Sequence, residues 1–143
     1  LEPRMLELEV TEGTLMQDVA STTRTLQELS RCGFNIALDD FGTGYSSLSY
    51  LSKFPFTSLK IDRAFVRDIP ADPDHVAIAR AIVAMGQGLR LRLIAEGVET
   101  EEQRAFLSGL GCSLMQGYLF GKPLPAAEAT AWLAGSAQRQ EAF

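Results

Sequence analysis

Residues 33–42 read GFNIALDDFG: a glycine, an apolar run, two adjacent carboxylates where the run ends, and a second glycine. Gly33 is placed to end a preceding helix. Phe34 to Asp39 has the length and content of a strand, and Asp39 with Asp40 then falls at that strand's carboxyl end. The same arrangement recurs along the chain. Met5 to Glu9, Ser58 to Ile61, Arg92 to Ala95 and Ser113 to Met115 also read as short strands, near-continuously apolar and separated by helical patterns. Before Gly33, residues Leu15, Val19, Thr22, Leu26 and Leu29 mark one helix face. A second helix starts near Pro73 and Asp74, carries Ile78, Ile82, Met85 and Leu89, and contains two glycines that weaken its last turns. Thr100 and Gln103 form a capping-box pattern ahead of Phe106, Leu107 and Leu110. Pro125 suits the first turn of a fourth helix that ends near Gly135, with Trp132 and Leu133 facing inward, and residues 136–143 read as a fraying tail. Strands and amphipathic helices in this alternation build parallel βα units with the sheet covered on both faces. The predicted class is α/β.

The composition is that of one folded domain: 143 residues, 46% of them hydrophobic, with a formal net charge of −5. That charge repels a polyanion, so no nucleic-acid polymer is expected as a partner. Cys32 and Cys112 are far apart with no C-x-x-C, and both read as buried structural thiols in a reducing cytoplasm. His75 is the single histidine and reads as a surface residue at a helix start. Any metal site would therefore be built from carboxylate and amide oxygens, the ligands of Mg²⁺, Mn²⁺ or Ca²⁺. No apolar run is long enough to span a bilayer, and no membrane contact is expected of this segment.

In parallel α/β folds the strands' carboxyl ends share one edge, where ligands bind. Here those ends carry Glu9 and Glu12 in ELEVTE, Asp39 and Asp40 in LDDFG, Lys60 and Asp62 in LKID, Glu96 and Glu99 in AEGVE, and Gln116 in MQGY. Solvated loop ends are one reading of so many acids. The other is a metal-assisted site, because like charges crowded on one rim repel unless cations neutralise them. Asp62 reads as an anchor for the following loop.

The motifs ELEVTE, DDFGTGYSSLSYL, LKIDRAFV, LIAEGVET and QGYLFGKPLP follow one another from Leu6 to Pro125. In their order and spacing the chain resembles EAL domains, the bacterial cyclic di-GMP phosphodiesterases. The resemblance implies a TIM-like (β/α) barrel whose first strand is antiparallel to the rest, here an incomplete barrel of about five βα units. It implies hydrolysis of cyclic di-GMP to linear pGpG with two Mg²⁺ or Mn²⁺ ions. By resemblance Glu9, Asp39 and Asp40 are metal ligands, Lys60 contacts the water nucleophile, and Glu96 is the general base. Glu99 and Gln116 line the site in support, and Glu12 anchors the loop that begins at Phe41. Tyr45, Tyr50, Tyr118 and Phe120 read as core filling, with stacking on guanine as the alternative.

The family's Glu-Ala-Leu motif, a nearby arginine and an asparagine on the next strand have no counterpart in this sequence. Residues 1–135 are therefore expected to be the C-terminal portion of an EAL domain, with residues 136–143 as its tail. The expected parent is a cytoplasmic or membrane-tethered signalling protein with sensory or other domains, a homodimer, and active only with the upstream half of the barrel. The segment alone is expected to be inactive and prone to associate. A non-catalytic cyclic di-GMP receptor is the rival reading, and a folding or interaction fragment without ligand is a third.

Overall fold

A computed structural model describes residues 1–15, 17–42 and 53–140 of the chain. Five strands form one sheet in chain order: β1 (Glu7–Thr11), β2 (Asn35–Asp39), β3 (Ser58–Ile61), β4 (Arg92–Ala95) and β5 (Leu114–Met115). Every neighbouring pair is parallel. The helices are α1 (Glu12–Leu15), α2 (Val19–Arg31), α3 (Arg63–Val66), α4 (Pro73–Gly88), α5 (Glu101–Gly109) and α6 (Ala126–Gln140). The result is an α/β fold, a partial barrel of parallel strands.

The two faces of the sheet differ. Ile36, Leu38, Leu59, Ile61, Leu93 and Ala95 are buried in one core with Leu26, Val66, Ile82, Val83 and Leu107 from the helices. Side chains alternate along a strand, so the residues between them face the other way. Those residues are largely polar: Glu7 and Glu9, Asn35 and Asp39, Ser58 and Lys60, Arg92. The strands are thus apolar on the helix-covered face only, whereas the sequence suggested apolar runs covered on both. On the polar face Glu7 Oε2 accepts from Ser58 Oγ and from Arg92 Nη2, both at 2.5 Å. This tie reaches from β1 across β2 to β3 and β4. It passes over Ala37, which is in register with Ser58 and has no side chain beyond Cβ to block it.

Several sequence expectations are corrected. Pro3–Met5 is a turn of 3₁₀ helix with the proline at its start. The first strand therefore runs Glu7–Thr11 rather than Met5 to Glu9, and Glu9 sits in mid-strand. The first helical pattern is two helices, because Asp18 accepts from Ser21 N–H at 3.0 Å and starts α2 afresh. Leu15 belongs to the short α1 and is buried there. Cys32 is the exposed C-cap of α2, whereas Cys112 is buried as expected. The buried stripe of α4 is Ala79, Ile82, Val83 and Gly86, while Ile78 and Leu89 are exposed. Gly86 serves packing: a Cβ there would lie 2.4 Å from Leu93 Cδ2, so its absence lets α4 close on β4. His75 is half-buried, with Nδ1 at 3.2 Å from Asp68 Oδ2. Trp132 and Leu133 do not face inward but are 50% and 60% exposed. Helix α6 also continues past Gly135 to Gln140, through residues assigned above to the tail. A lone glycine costs only about 1 kcal/mol in a run of good helix formers.

The Thr100 and Gln103 capping box is present: Thr100 Oγ1 accepts from Gln103 N–H at 3.2 Å and Gln103 Oε1 accepts from Thr100 N–H at 3.0 Å. Gln103 is itself buried, and its Nε2 donates to Arg67 O at 2.9 Å.

Candidate active site

The carboxyl ends of the strands converge on Lys60. Its place on β3 buries all but 4% of the residue and brings Nζ among three carboxylates. Glu9 Oε1 is at 2.7 Å, Glu96 Oε1 at 2.6 Å and Asp39 Oδ1 at 3.3 Å. An ammonium has three N–H donors, and three acceptors from three other strands or strand ends face them. Glu9 reaches Lys60 across β2 because its register partner there is Ala37. Asp39 is the last residue of β2, and Glu96 directly follows β4, its N–H donating to Ile61 O at 3.0 Å.

Two adjoining turns complete the cluster. Asp40 has φ 55°, and this left-handed step lets its N–H donate to Asp39 Oδ1 at 3.0 Å. Gln116, just after β5, donates from Nε2 to Glu96 Oε1 at 2.8 Å. Its backbone is tied to the Glu96 loop by Val98 N–H donating to Gln116 O at 3.1 Å, and Leu119 N–H donates to Val98 O at 3.1 Å. Gly117 makes that approach feasible, since a Cβ there would lie 2.1 Å from Val98 O.

The electrostatics are those of a semi-buried acidic centre. Burial opposes the charge on Lys60, but hydrogen bonds to Glu9 and Glu96 outweigh it and raise its proton affinity. Burial raises the Glu96 carboxyl above the ordinary range despite the opposing pull of Lys60. Asp40 is raised by burial and by the neighbouring charges of Asp39 and Asp62.

The remaining sequence candidates lie around this centre. Glu99 pairs with Arg63 Nη2 at 2.7 Å rather than with Lys60. Together with Gln116, Gly117, Tyr118 and Lys122 this pair lines a cleft of about 390 Å³ beside Glu96. Glu12 is only 6% exposed, and neither carboxylate oxygen has a hydrogen-bond partner among the described residues. Most of the loop it was expected to anchor, residues 43–52, lies outside the described residues, and so do Tyr45 and Tyr50. Tyr118 and Phe120 are 56% and 44% exposed, so they do not fill the core. Asp62 caps α3, accepting from Ala64 N–H at 2.8 Å, which is the anchoring role expected of it. Arg63, Gln103 and Gly117 were not singled out as site residues. For Gln103 the capping box was a readable signal of position, but its reach to Arg67 was not.

Among the described residues no three His, Cys, Asp or Glu side chains stand together at metal-ligand spacing, and Lys60 Nζ lies where the acids meet. The donor set is all oxygen, which fits a hard divalent cation. Residues 1–123 match the model of the EAL domain. The chain belongs to the EAL domain family. A curated relative, the bifunctional diguanylate cyclase/cyclic di-GMP phosphodiesterase MucR of Pseudomonas aeruginosa, is 52% identical over 134 residues, covering 94% of this chain and 20% of MucR. The solved PaMucR phosphodiesterase in complex with c-di-GMP superposes with a TM-score of 0.86 at 52% identity, over 90% of this chain and 52% of that one. A manganese/cy-diGMP complex of Klebsiella pneumoniae BlrP1 gives a TM-score of 0.80 at 37% identity, over 86% of this chain and 31% of that one. A calcium/cy-diGMP complex of the same protein matches at 0.79. This EAL chain therefore spans about a fifth of the curated relative and about half of the solved PaMucR chain. No described helix is long and apolar enough to cross a membrane.

Proposed function

We propose that this chain carries the greater part of the active site of a cyclic di-GMP phosphodiesterase, which cleaves one phosphodiester of the ring to give linear pGpG. The observation that carries the reading is the convergence of Glu9, Asp39 and Glu96 on Lys60, with Gln116 holding Glu96, at the carboxyl end of a parallel sheet. Kinship with MucR supports the substrate.

Glu9, Asp39 and Asp40 would hold Mg²⁺ or Mn²⁺. Two such ions supply phosphate polarisation and a more acidic water. Glu96 takes the proton of the attacking water, a role suited to a carboxyl whose proton affinity burial has raised. Gln116 keeps that carboxylate aimed by donating to one of its oxygens. Lys60 donates to the attacking or phosphoryl oxygen and offsets charge developing there. The water oxygen bonds to phosphorus, the ester oxygen leaves, and the ring opens. Glu99 and Arg63 flank the cleft beside Glu96, and Glu12 supports the loop following Asp40. A cytoplasmic setting, a homodimeric parent and negligible turnover by residues 1–143 alone belong to the same reading.

The test is chromatography of the products from cyclic di-GMP and the full chain. Mg²⁺ or Mn²⁺ is expected to support pGpG formation, Ca²⁺ to support it poorly because its coordination is larger and looser, and excess chelator to stop it. Undiminished hydrolysis in excess chelator would overturn the reading.

A further inference from the structure

We propose that Lys60 is the internal counter-ion of this centre, holding the acids together when no divalent cation is bound and competing with that cation for them. The inference rests on the metal-ligand reading above. Three carboxylates lie within 3.3 Å of one buried ammonium, and two of them, Glu9 and Asp39, are the residues expected to bind metal. Asp40 is close enough to feel Lys60 as well. Without a cation, so many like charges at the end of one sheet repel, and Nζ is the single positive group placed among them by these contacts. When a divalent ion shares Glu9 and Asp39, Lys60 confronts a second positive charge a few ångströms away and must surrender part of its hydrogen bonding.

Two effects of Lys60 on metal affinity therefore oppose one another. As a scaffold it pre-arranges the carboxylates, and supports of that kind typically alter affinity by about 10–100-fold. As a like charge it repels a doubly charged ion at short range inside a partly buried site, where screening is weak. The structure favours repulsion as the larger, because β1, β2 and β4 already fix the backbones of Glu9, Asp39 and Glu96 without help from Lys60. Register pairs Glu9 with Ala37 and Lys60 with Ile94, and Gln116 holds Glu96 independently.

The experiment is calorimetric titration of the full chain with Mn²⁺ alone, paired with thermal unfolding with and without Mn²⁺, for the parent, Lys60→Met, Lys60→Arg and Asp39→Asn. Lys60→Met is expected to bind Mn²⁺ at least tenfold more tightly, to melt earlier than the parent without metal, and to gain more from Mn²⁺. Lys60→Arg keeps the charge and should stay within a few-fold of the parent. Should Lys60→Met not fold alone, refolding in saturating Mn²⁺ supports the proposal, and failure to refold there overturns it. Equal or weaker Mn²⁺ binding by Lys60→Met, with Asp39→Asn abolishing binding, overturns the counter-ion role while leaving the metal site standing. Unchanged Mn²⁺ binding by Asp39→Asn removes the metal reading and this inference with it.

Discussion

Gly117→Ala is the smallest change expected to take the site apart. A Cβ at this position would lie 2.1 Å from Val98 O, 2.3 Å from Val98 N and 2.7 Å from Val98 C, all of them backbone atoms. No rotamer can relieve the contact. The two segments must separate by more than about 1 Å before the methyl reaches ordinary van der Waals distance. That separation lengthens both Val98 N–H···Gln116 O and Leu119 N–H···Val98 O, each 3.1 Å in the native structure. Overpacking at about 1–3 kcal/mol and two weakened hydrogen bonds at about 0.5–1.5 kcal/mol each give a destabilisation of about 3–5 kcal/mol. Gln116 is drawn off Glu96 by the same movement, and a displacement of about 1 Å in a catalytic group is worth about 100-fold in rate. Urea unfolding and pGpG formation, measured on the same preparation, read the two effects. Gly97→Ala is the control: there the near atoms belong to the Arg63 side chain, at 2.3 Å from a Cβ, and can move aside. Its φ of 65° still disfavours alanine by about 1–2 kcal/mol. A parental unfolding midpoint and parental turnover for Gly117→Ala would refute the reasoning.

Gln103→Ala should lower stability by about 2–4 kcal/mol in urea unfolding, because the Glu99 and Thr100 amides and the Arg67 carbonyl lose a buried partner together. Gln103→Glu should still cap α5 yet lose the Arg67 contact, and so fall between. Gly86→Ala sets a helix-propensity gain of about 0.5–1 kcal/mol against overpacking of about 1–3 kcal/mol on Leu93, and a net loss of about 1 kcal/mol is expected by thermal unfolding. A double-mutant cycle between Glu7→Gln and Arg92→Gln should give a coupling of about 1 kcal/mol, modest because half of the Arg92 side chain is exposed. A coupling of zero would show that the tie across β2 contributes nothing to stability.

Much of the fold and of the candidate site was legible because it depends on local rules. Gly33, the Pro73 helix start and the Thr100 and Gln103 box are short-range signals, and the structure holds all three in place. The strand ends were legible too, since the acid, amide and lysine positions follow from where the apolar runs stop. What escaped depends on contacts distant in sequence. Lys60 read equally well as a strand-end surface residue until β1, β2 and β4 enclosed it. The polar face of the sheet was hidden because a four-residue strand is too short to show alternation clearly. Gly86 looked like a helix weakener, since only the approach of Leu93 from β4 reveals its use. Trp132 and Leu133 lie on a helical pattern whose inward face the sequence alone does not determine.

The central claim is that Glu96 accepts a proton within a cluster that binds cyclic di-GMP for hydrolysis. Its most direct test is Glu96→Gln in the full chain, with cyclic di-GMP binding and pGpG formation measured side by side in Mn²⁺. An amide at this position keeps an oxygen for Lys60 and Gln116 but cannot take the proton. The account predicts binding within a few-fold of the parent and turnover reduced by about 100-fold or more. Turnover within a few-fold of the parent would contradict it.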